Sequence, residues 1–575
     1  MSAATRSHWL YVALTAALAI AAAIWAIPEL GERGWFAYAP APSAFTPALP
    51  TLSPDLFLFP ASAQIVLLAV GVGLLVQIYS TAYLGHHPRY RSYALIIILF
   101  LVAMIAVVGT TNLWVLLVGW EVMGLCSYLL IGHEWQTADA RAGAAKAFLM
   151  TRVADLGLVL AILVIGETYG TYDLLGAQPL DGEAQNATAI GLLVLVAVVG
   201  KSAQFPLHSW LPDAMPGPTP ITALIHAATM VAAGVYLAAR LFPFYATSTI
   251  VLTAMAVVAG ITMLMGAVFA LVQTDLKRAL AWSTVSQLAF MFAAIAAGDP
   301  ESGLDHLVSH GIFKALLFLG CGCLMHAVGS SALSAMGGLR GAMPVTFATM
   351  TIGFAALAGI VPTVGFFTKD SVLHAIEHAT DGDGGLATGT AWTLLVVALV
   401  TSFVTAAYAT RLWLKSFLGP TSAPDAHDAA PAMTGPLVVL AIATFAVSIG
   451  QPFHLDIGVI STAIAASGVG LVVLLWRRGS SLDRAPAPLA GELGLDRPFS
   501  RWIPRLTGAA ARAVVDLDRD AVDVYPRAGA SAAGLGARGL ALVQSRNVQR
   551  YATVLAGGVL VLVVVGVLAV QGVGS

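Results

Sequence analysis

The sequence predicts an all-α polytopic membrane protein of about fifteen transmembrane helices, and three observations carry that prediction. Hydrophobic residues make up 58% of the 575 residues and charged residues only 10%, with a mean hydropathy of +0.85; soluble domains are about 45–50% apolar and roughly 25% charged. Apolar stretches near 20 residues recur along the chain, and that length of helix crosses a hydrocarbon core of ~30 Å. Prolines and glycines interrupt two of these stretches from within. Because a backbone in lipid must satisfy its own hydrogen bonds, the repeated stretches imply one helical bundle. A net charge of −2 gives no footing for a nucleic acid partner.

Apolar windows place spans near 8–27, 56–83, 92–110, 112–132, 146–166, 187–213, 219–241, 249–272, 279–298 and 304–328, then near 345–378, 389–414, 433–451, 456–476 and 551–571. The first run lacks a convincing small-residue cleavage site and reads as an uncleaved span. These spans divide into N-terminal helices (1–90), a core (91–420), additional spans (421–478), an amphipathic segment (479–550) and a final anchor helix (551–575).

Loop charge then orients them, since basic loops stay cytoplasmic. His86–Arg91, Arg141 with Lys146, Lys277 with Arg278, Arg340, Arg411 with Lys415, and Arg477 with Arg478 fall on one side. Glu29, Glu32, Glu167, Asp173, Asp181, Glu183, Asp299, Glu301, Asp305, Asp381 and Asp383 fall on the other. An odd number of spans in a bacterial-type inner membrane then puts the N-terminus in the cytoplasm and the C-terminus outside.

Two spans read as broken. Lys201 precedes Pro206, Pro212, Pro216, Pro218 and Pro220, while Gly359, Pro362 and Gly365 precede Lys369. Each proline removes a backbone donor and disfavours helix at its predecessor. Unwound backbone at membrane depth is tolerated only against protein or a wet cavity, and paired broken helices mark transporters built from inverted repeats. The segment after Gly479 mixes Pro, Gly, Arg and Asp with Ala, Leu and Val, which cannot span but suits a helix lying along a membrane surface or neighbouring subunits. Pro504 and Pro526 are expected to break or bend it.

A charge at the centre of a lipid-facing helix costs about 2.5–3.5 kcal/mol on insertion scales, so intramembrane charges face the bundle interior and mark a pathway. Glu121 sits halfway along its span, Asp155 near the start of the next, and Lys201 at the first break. His226 follows in PTPITALIHAATM. His306, His310 and Lys314 stand at i, i+4 and i+8, a polar stripe ~12 Å long on one helix face. Lys369 with Asp370 stands at the second break. A carboxylate beside a buried lysine makes a proton switch, and histidines can relay between lysines. The competing readings are a structural salt bridge for Glu121 and the lysines, packing for the histidines, and helix capping or pairing with arginine for Asp155 and Asp370. Cys126, Cys321 and Cys323 lie in apolar runs and read as packing; with no further cysteines, neither a metal nor an iron–sulfur site is expected.

The strings GWEVMGLCSYLLIG, GKSAQFPLHSWLPDAMPGPTPITALIHAATMVAAGVYLAAR, QTDLKRALAWSTVSQLAFM, HLVSHGIFKALLFLGCG and GFFTKDSVL resemble the antiporter-like subunits of proton-pumping NADH-quinone oxidoreductase (complex I). The ending resembles the L-type subunit, also called subunit 5. The resemblance implies a Glu121–Lys201 input pair, Lys314 as central relay and Lys369 as the terminal lysine, with His226, His306 and His310 on the axis between them and Asp155 at an acidic position near the first lysine. It implies no cofactor on this chain: FMN, iron–sulfur clusters and quinone would belong to partner subunits of the same membrane complex. A multi-subunit cation/proton antiporter, an inorganic-carbon uptake complex and a membrane-bound hydrogenase remain open as alternative parents, as does a non-pumping structural anchor.

Overall fold

The computed structural model describes residues 3–31, 60–177, 185–227, 229–382, 385–420, 423–449, 451, 453–479, 486–543 and 547–572. Glu32, Asp181, Glu183 and Asp383 of the acidic loops, and 480–485 and 544–546 of the tail, lie outside the described residues.

Helices cover every apolar window, and three of the windows are each divided between two helices. In order they are α1 (Ala3–Ala26), α2 (Pro60–Tyr83), α3 (Tyr90–Gly109), α4 (Leu113–Ile131), α5 (Ala138–Tyr169), α6 (Ala187–Lys201), α7 (Trp210–Asp213), α8 (Thr219–Ala227), α9 (Met230–Arg240), α10 (Thr249–Val272), α11 (Leu276–Ala296) and α12 (Pro300–Val328). There follow α13 (Leu339–Ala342), α14 (Pro344–Ala358), α15 (Val364–His378), α16 (Thr388–Phe417), α17 (Pro431–Ala446), α18 (Leu455–Arg477) and α19 (Ala487–Ala490), then α20 (Ile503–Leu517), α21 (Val524–Val543) and α22 (Val548–Gly572). Twelve helical stretches among the described residues are long and apolar enough to cross a membrane, and three shorter apolar helices, α6, α14 and α17, account for the rest. The chain is a multi-pass membrane protein.

Local chemistry fixes the ends. Asn112 accepts from the backbone of Trp114 and Val115 to start α4, Asp275 accepts from Arg278 to start α11, and Asp299 accepts from Ser302 ahead of Pro300 to start α12. Gly329 (φ 75) and Gly359 (φ 75) end α12 and α14 in the left-handed backbone that glycine adopts at least cost.

Both expected breaks are present. α6 stops at Lys201, and a stretch carrying the cis Phe205–Pro206 bond leads to the short α7; α14 stops at Ala358, and α15 resumes at Val364. At the second break, a β-carbon on Gly365 would lie 2.1 Å from the Ala356 carbonyl oxygen. Gly365→Ala therefore forces two backbone segments apart, and a loss of roughly 1–3 kcal/mol is expected, read as a lower melting temperature of the purified protein. A melting temperature equal to wild type would refute that close approach.

A third break, between α8 and α9, was not expected. Thr229 leaves helical backbone (φ −132, ψ −97), and its hydroxyl donates to the Leu224 carbonyl at 2.7 Å. A threonine side chain bonding a nearby carbonyl offers the backbone an alternative to the helix ladder, with no proline or glycine needed.

The most deeply buried spans are α8–α9 and α11, with α12 packed against both. α9 is tied to the carbonyl end of α3, where fully buried Arg240 donates to Val108 O at 3.0 Å and to Thr110 O at 2.5 Å, and the Tyr236 hydroxyl donates to Val108 O at 2.7 Å. A cation suits that negative helix end. At the periphery, α5 exposes Leu149, Val153, Leu156, Leu160 and Leu163, a stripe at helical spacing suited to lipid. The three cysteines are buried and unbridged.

Residues Gly494–Ser575 form a separate compact unit. Pro504 and Pro526, expected to break or bend the tail, do not break it: the backbone runs helically from Pro498 to Val543, interrupted only at Asp523. Two wider π-turns, Pro498–Trp502 and Asp518–Val522, absorb the irregularity. Each proline falls within the first turn of its α-helix, where a missing donor costs little. At ~1.5 Å per residue this run reaches roughly 70 Å. The terminal α22 begins at Val548, slightly earlier than the anchor read from hydropathy.

Candidate functional site

The expected ionisable residues take their places on six helices, α4, α5, α6, α8, α12 and α15. Lys201, at the carboxyl end of α6, is fully buried. Its ammonium lies 3.7 Å from Asp155 Oδ2, donates to the Trp120 carbonyl at 3.3 Å and sits 4.5 Å from the centre of the Trp120 ring. The Trp120 indole donates to the other Asp155 oxygen at 2.6 Å. Asp155 on α5 is thus the carboxylate that Lys201 meets.

The expected Glu121–Lys201 pair is corrected accordingly. Glu121 is ion-paired with Arg152, whose guanidinium also donates to the Glu121 backbone oxygen at 2.9 Å. Arg152 stands one turn before Asp155 on α5, so one helix supplies both the cation for Glu121 and the anion for Lys201. The Glu121–Arg152 pair is part-exposed, whereas the Asp155–Lys201 pair is closed off.

The break after Lys201 is stitched by its own polar side chains. Ser202 donates to Val231 O at 2.7 Å, Gln204 to Ser202 O at 2.8 Å, and the Phe205 amide to the Thr262 hydroxyl at 3.0 Å. Unpaired backbone would otherwise be costly at this depth.

In the middle of the bundle, fully buried Lys314 donates to Leu280 O at 3.2 Å and to the Ser283 hydroxyl. His226 and His310 are buried, and no ring nitrogen of either meets a hydrogen-bond partner among the described residues. His306 bridges α11 and α15, with Nε2 3.2 Å from Gln287 Oε1 and Nδ1 3.0 Å from the Thr368 hydroxyl. Thr368 also bonds Ser309 at 2.7 Å. Lys369, next along α15, points its ammonium toward the Phe290 ring at 5.1 Å.

α11 was not expected to carry the site, yet Leu280, Ser283, Gln287 and Phe290 recur at steps of three and four along it. That face touches Lys314 through Leu280 and Ser283, His306 through Gln287, and Lys369 through Phe290. The stripe was present in LKRALAWSTVSQLAF, but one serine and one glutamine in an apolar helix are a weak signal.

Asp370, next to Lys369 in sequence, turns to a different partner. Its Oδ2 accepts from the His454 amide at 3.0 Å, immediately ahead of α18, and lies 3.5 Å from His454 Nδ1. Successive residues on a helix point about 100° apart, so Asp370 faces α18 while Lys369 faces α11. The contact is a tertiary tie between α15 and the residue ahead of α18, since Asp370 lies inside α15 and not at its end.

Broken helices bearing buried lysines, flanking a continuous helix that carries two histidines and a third lysine, define a membrane protein of the antiporter-like class. The chain belongs to the NADH:quinone oxidoreductase/Mrp antiporter family of membrane subunits: residues 110–405 match the model described as "NADH:quinone oxidoreductase/Mrp antiporter, TM", and residues 53–94 match "NADH-Ubiquinone oxidoreductase (complex I), chain 5 N-terminus".

Among its relatives, NADH-quinone oxidoreductase subunit L of Mycobacterium tuberculosis is 43% identical over 387 residues, 66% of this chain and 60% of that protein. The match therefore spans only about three-fifths of that relative's length. NAD(P)H-quinone oxidoreductase chain 5 of Picosynechococcus is 34% identical, covering 87% of this chain and 85% of the relative. F(420)H(2) dehydrogenase subunit L of Methanosarcina mazei is 37% identical over 72% and 70%. A solved structure of the Mrp complex from Dietzia superposes with a TM-score of 0.74 at 26% identity, covering 98% of this chain and 60% of that one.

Proposed function

We propose that this chain is a proton-translocating membrane-arm subunit of a respiratory NADH-quinone oxidoreductase, moving protons while partner subunits that hold FMN, iron–sulfur clusters and quinone transfer electrons. The observation that carries this reading is the series of three enclosed ammonium groups, Lys201, Lys314 and Lys369, with His226, His306 and His310 buried among the same helices, α6, α8, α12 and α15. A mere scaffold gains nothing from burying lysines, because each is expensive to desolvate. Lys201 exchanges its proton under the control of Asp155, Lys314 relays it, and Lys369 delivers it toward the outer side. The open ring nitrogens of His226 and His310 suit them to accept and pass a proton. Glu121 with Arg152 stands at the more exposed approach to Lys201, and Asp370 holds the start of α18 beside the terminal lysine. The basic loops on one side support a cytoplasmic N-terminus and an outer C-terminus.

The test uses the complex purified from its own membranes and returned to vesicles. Lys201→Ala and Lys369→Ala are each expected to lower the number of protons moved per electron while assembly survives. An unchanged ratio in both variants would sink the axis. A second reading, a subunit of a multi-subunit cation/proton antiporter, is favoured by the likeness to the Mrp complex across nearly the whole chain. Partners without an NADH-oxidising module, together with sodium-dependent proton exchange in the same vesicles, would select it.

A further inference from the structure

Glu492, just after α19, reaches back to the cytoplasm-facing end of the bundle. A single carboxylate oxygen, Oε1, accepts from Gln273 Nε2 at 3.1 Å, Arg278 Nε at 3.2 Å, Arg278 Nη2 at 2.8 Å and Trp282 Nε1 at 2.9 Å. Arg278 turns its remaining nitrogen to Asp213 Oδ1 at 2.9 Å, and Asp213 Oδ2 takes the Lys146 ammonium at 2.6 Å. The ionic chain Glu492–Arg278–Asp213–Lys146 thus crosses from the turn after α19 to α11, α7 and α5, beneath the first broken helix.

The backbone gives a second, independent observation. Glu492 and Leu493 both sit in the left-handed region, at φ 51 and 54. Residues with a β-carbon avoid that conformation and hold it only where surrounding contacts over-determine it. A chain needing no more than an attachment point has no reason to keep two such residues in succession.

We propose that Glu492 is a positioning residue of the proton path, which holds the first turns of α11 so that Ser283 and the Leu280 carbonyl meet Lys314. Arg278 and Trp282, one turn apart, are the two α11 residues it grips, and Leu280 and Ser283 lie between and immediately beyond them. Trp282 is fully buried and packs edge-on to Phe269 at 4.8 Å and near His208 at 5.6 Å. A close-packed helix end transmits a shift instead of absorbing it. Loss of the carboxylate therefore loosens both Trp282 and its neighbour Ser283. The inference rests on the reading of Lys314 as a relay.

The intact complex in vesicles is compared as wild type, Glu492→Ala and Glu492→Gln, with hydrogen–deuterium exchange of residues 276–284 measured beside protons moved per electron. Glu492→Ala is expected to speed exchange in the inner turns of α11 severalfold and to lower the proton ratio. Glu492→Gln keeps an acceptor oxygen for Gln273 and Trp282 and is expected to recover most of both. Should the alanine variant fail to assemble, Trp282→Phe, which keeps a ring and removes the indole donor, is expected to move both readouts the same way. Wild-type exchange and a wild-type ratio in the assembled variants would overturn the proposal. So would reduced assembly with a normal ratio in the complexes that form, since that is attachment alone. A wild-type complex that moves no protons would instead overturn the relay reading of Lys314, with the exchange result still reporting on the grip itself.

Discussion

Replacing Lys314 with methionine is expected to abolish proton translocation while leaving the protein folded and assembled. The side chain is fully buried, and among the described residues its ammonium donates only to the Leu280 carbonyl and the Ser283 hydroxyl. Neither is orphaned by the exchange, because Ser283 also donates to Leu280 O at 2.8 Å and that carbonyl lies within the α11 ladder. Methionine fills a similar volume without a charge to desolvate. Replacing buried charge by packed apolar groups is often neutral or stabilising by about 1–4 kcal/mol. The melting temperature of the purified complex should therefore hold or rise while vesicle acidification disappears. Normal acidification in this variant would remove Lys314 from the path, and a collapsed melting temperature would show the ammonium to be structural.

Asp155→Asn is expected to do more damage than Glu121→Gln. Asparagine still offers the Trp120 indole an oxygen, so the 2.6 Å bond survives in kind, but the charge beside Lys201 is gone. Leaving one member of a buried pair without its counter-charge typically costs ~3–5 kcal/mol, and the retained indole bond should hold the loss near the low end. Proton transfer should fall by about tenfold or more, equivalent to ~1.4 kcal/mol on the barrier. Glu121→Gln releases Arg152 at a part-exposed position, where solvent screens the change. If the glutamine variant proved the more damaging of the two, Glu121 would be the functional partner of Lys201 and the ground-state pairing described above would not be the one that matters.

Much of the fold was legible in hydropathy because a bilayer leaves a helix few alternatives: each apolar window became a helix, and two proline- and glycine-rich interruptions became breaks. The burial of the lysines was legible for the same reason, since an ammonium within an apolar window is expected to face the bundle interior. Pairing was less so. Glu121, Asp155, Arg152 and Lys201 lie on three helices, and which carboxylate meets which cation depends on helix rotation, which spacing along the chain does not record. Thr229 shows a different limit: a break made by one hydroxyl bonding a carbonyl leaves no proline or glycine to mark it. Asp370 could be read as a carboxylate beside Lys369, as a cap or as a partner of arginine, and its contact with the His454 amide, 84 residues away, is one that spacing along the chain does not record. In the tail, prolines were weighed as breakers, whereas π-turns ahead of them let the helix continue.

The face of α11 that carries Leu280, Ser283, Gln287 and Phe290 has a consequence for timing. One stiff rod touches the central lysine, the bridging histidine and the terminal lysine at successive heights. Turning such a rod by about 20° would sweep side-chain tips at a radius of ~5 Å through roughly 2 Å, enough to part all three contacts at once. Events at separate heights in the membrane would then share one clock, and a stroke begun at either end would be felt at the other without any proton having yet made the journey.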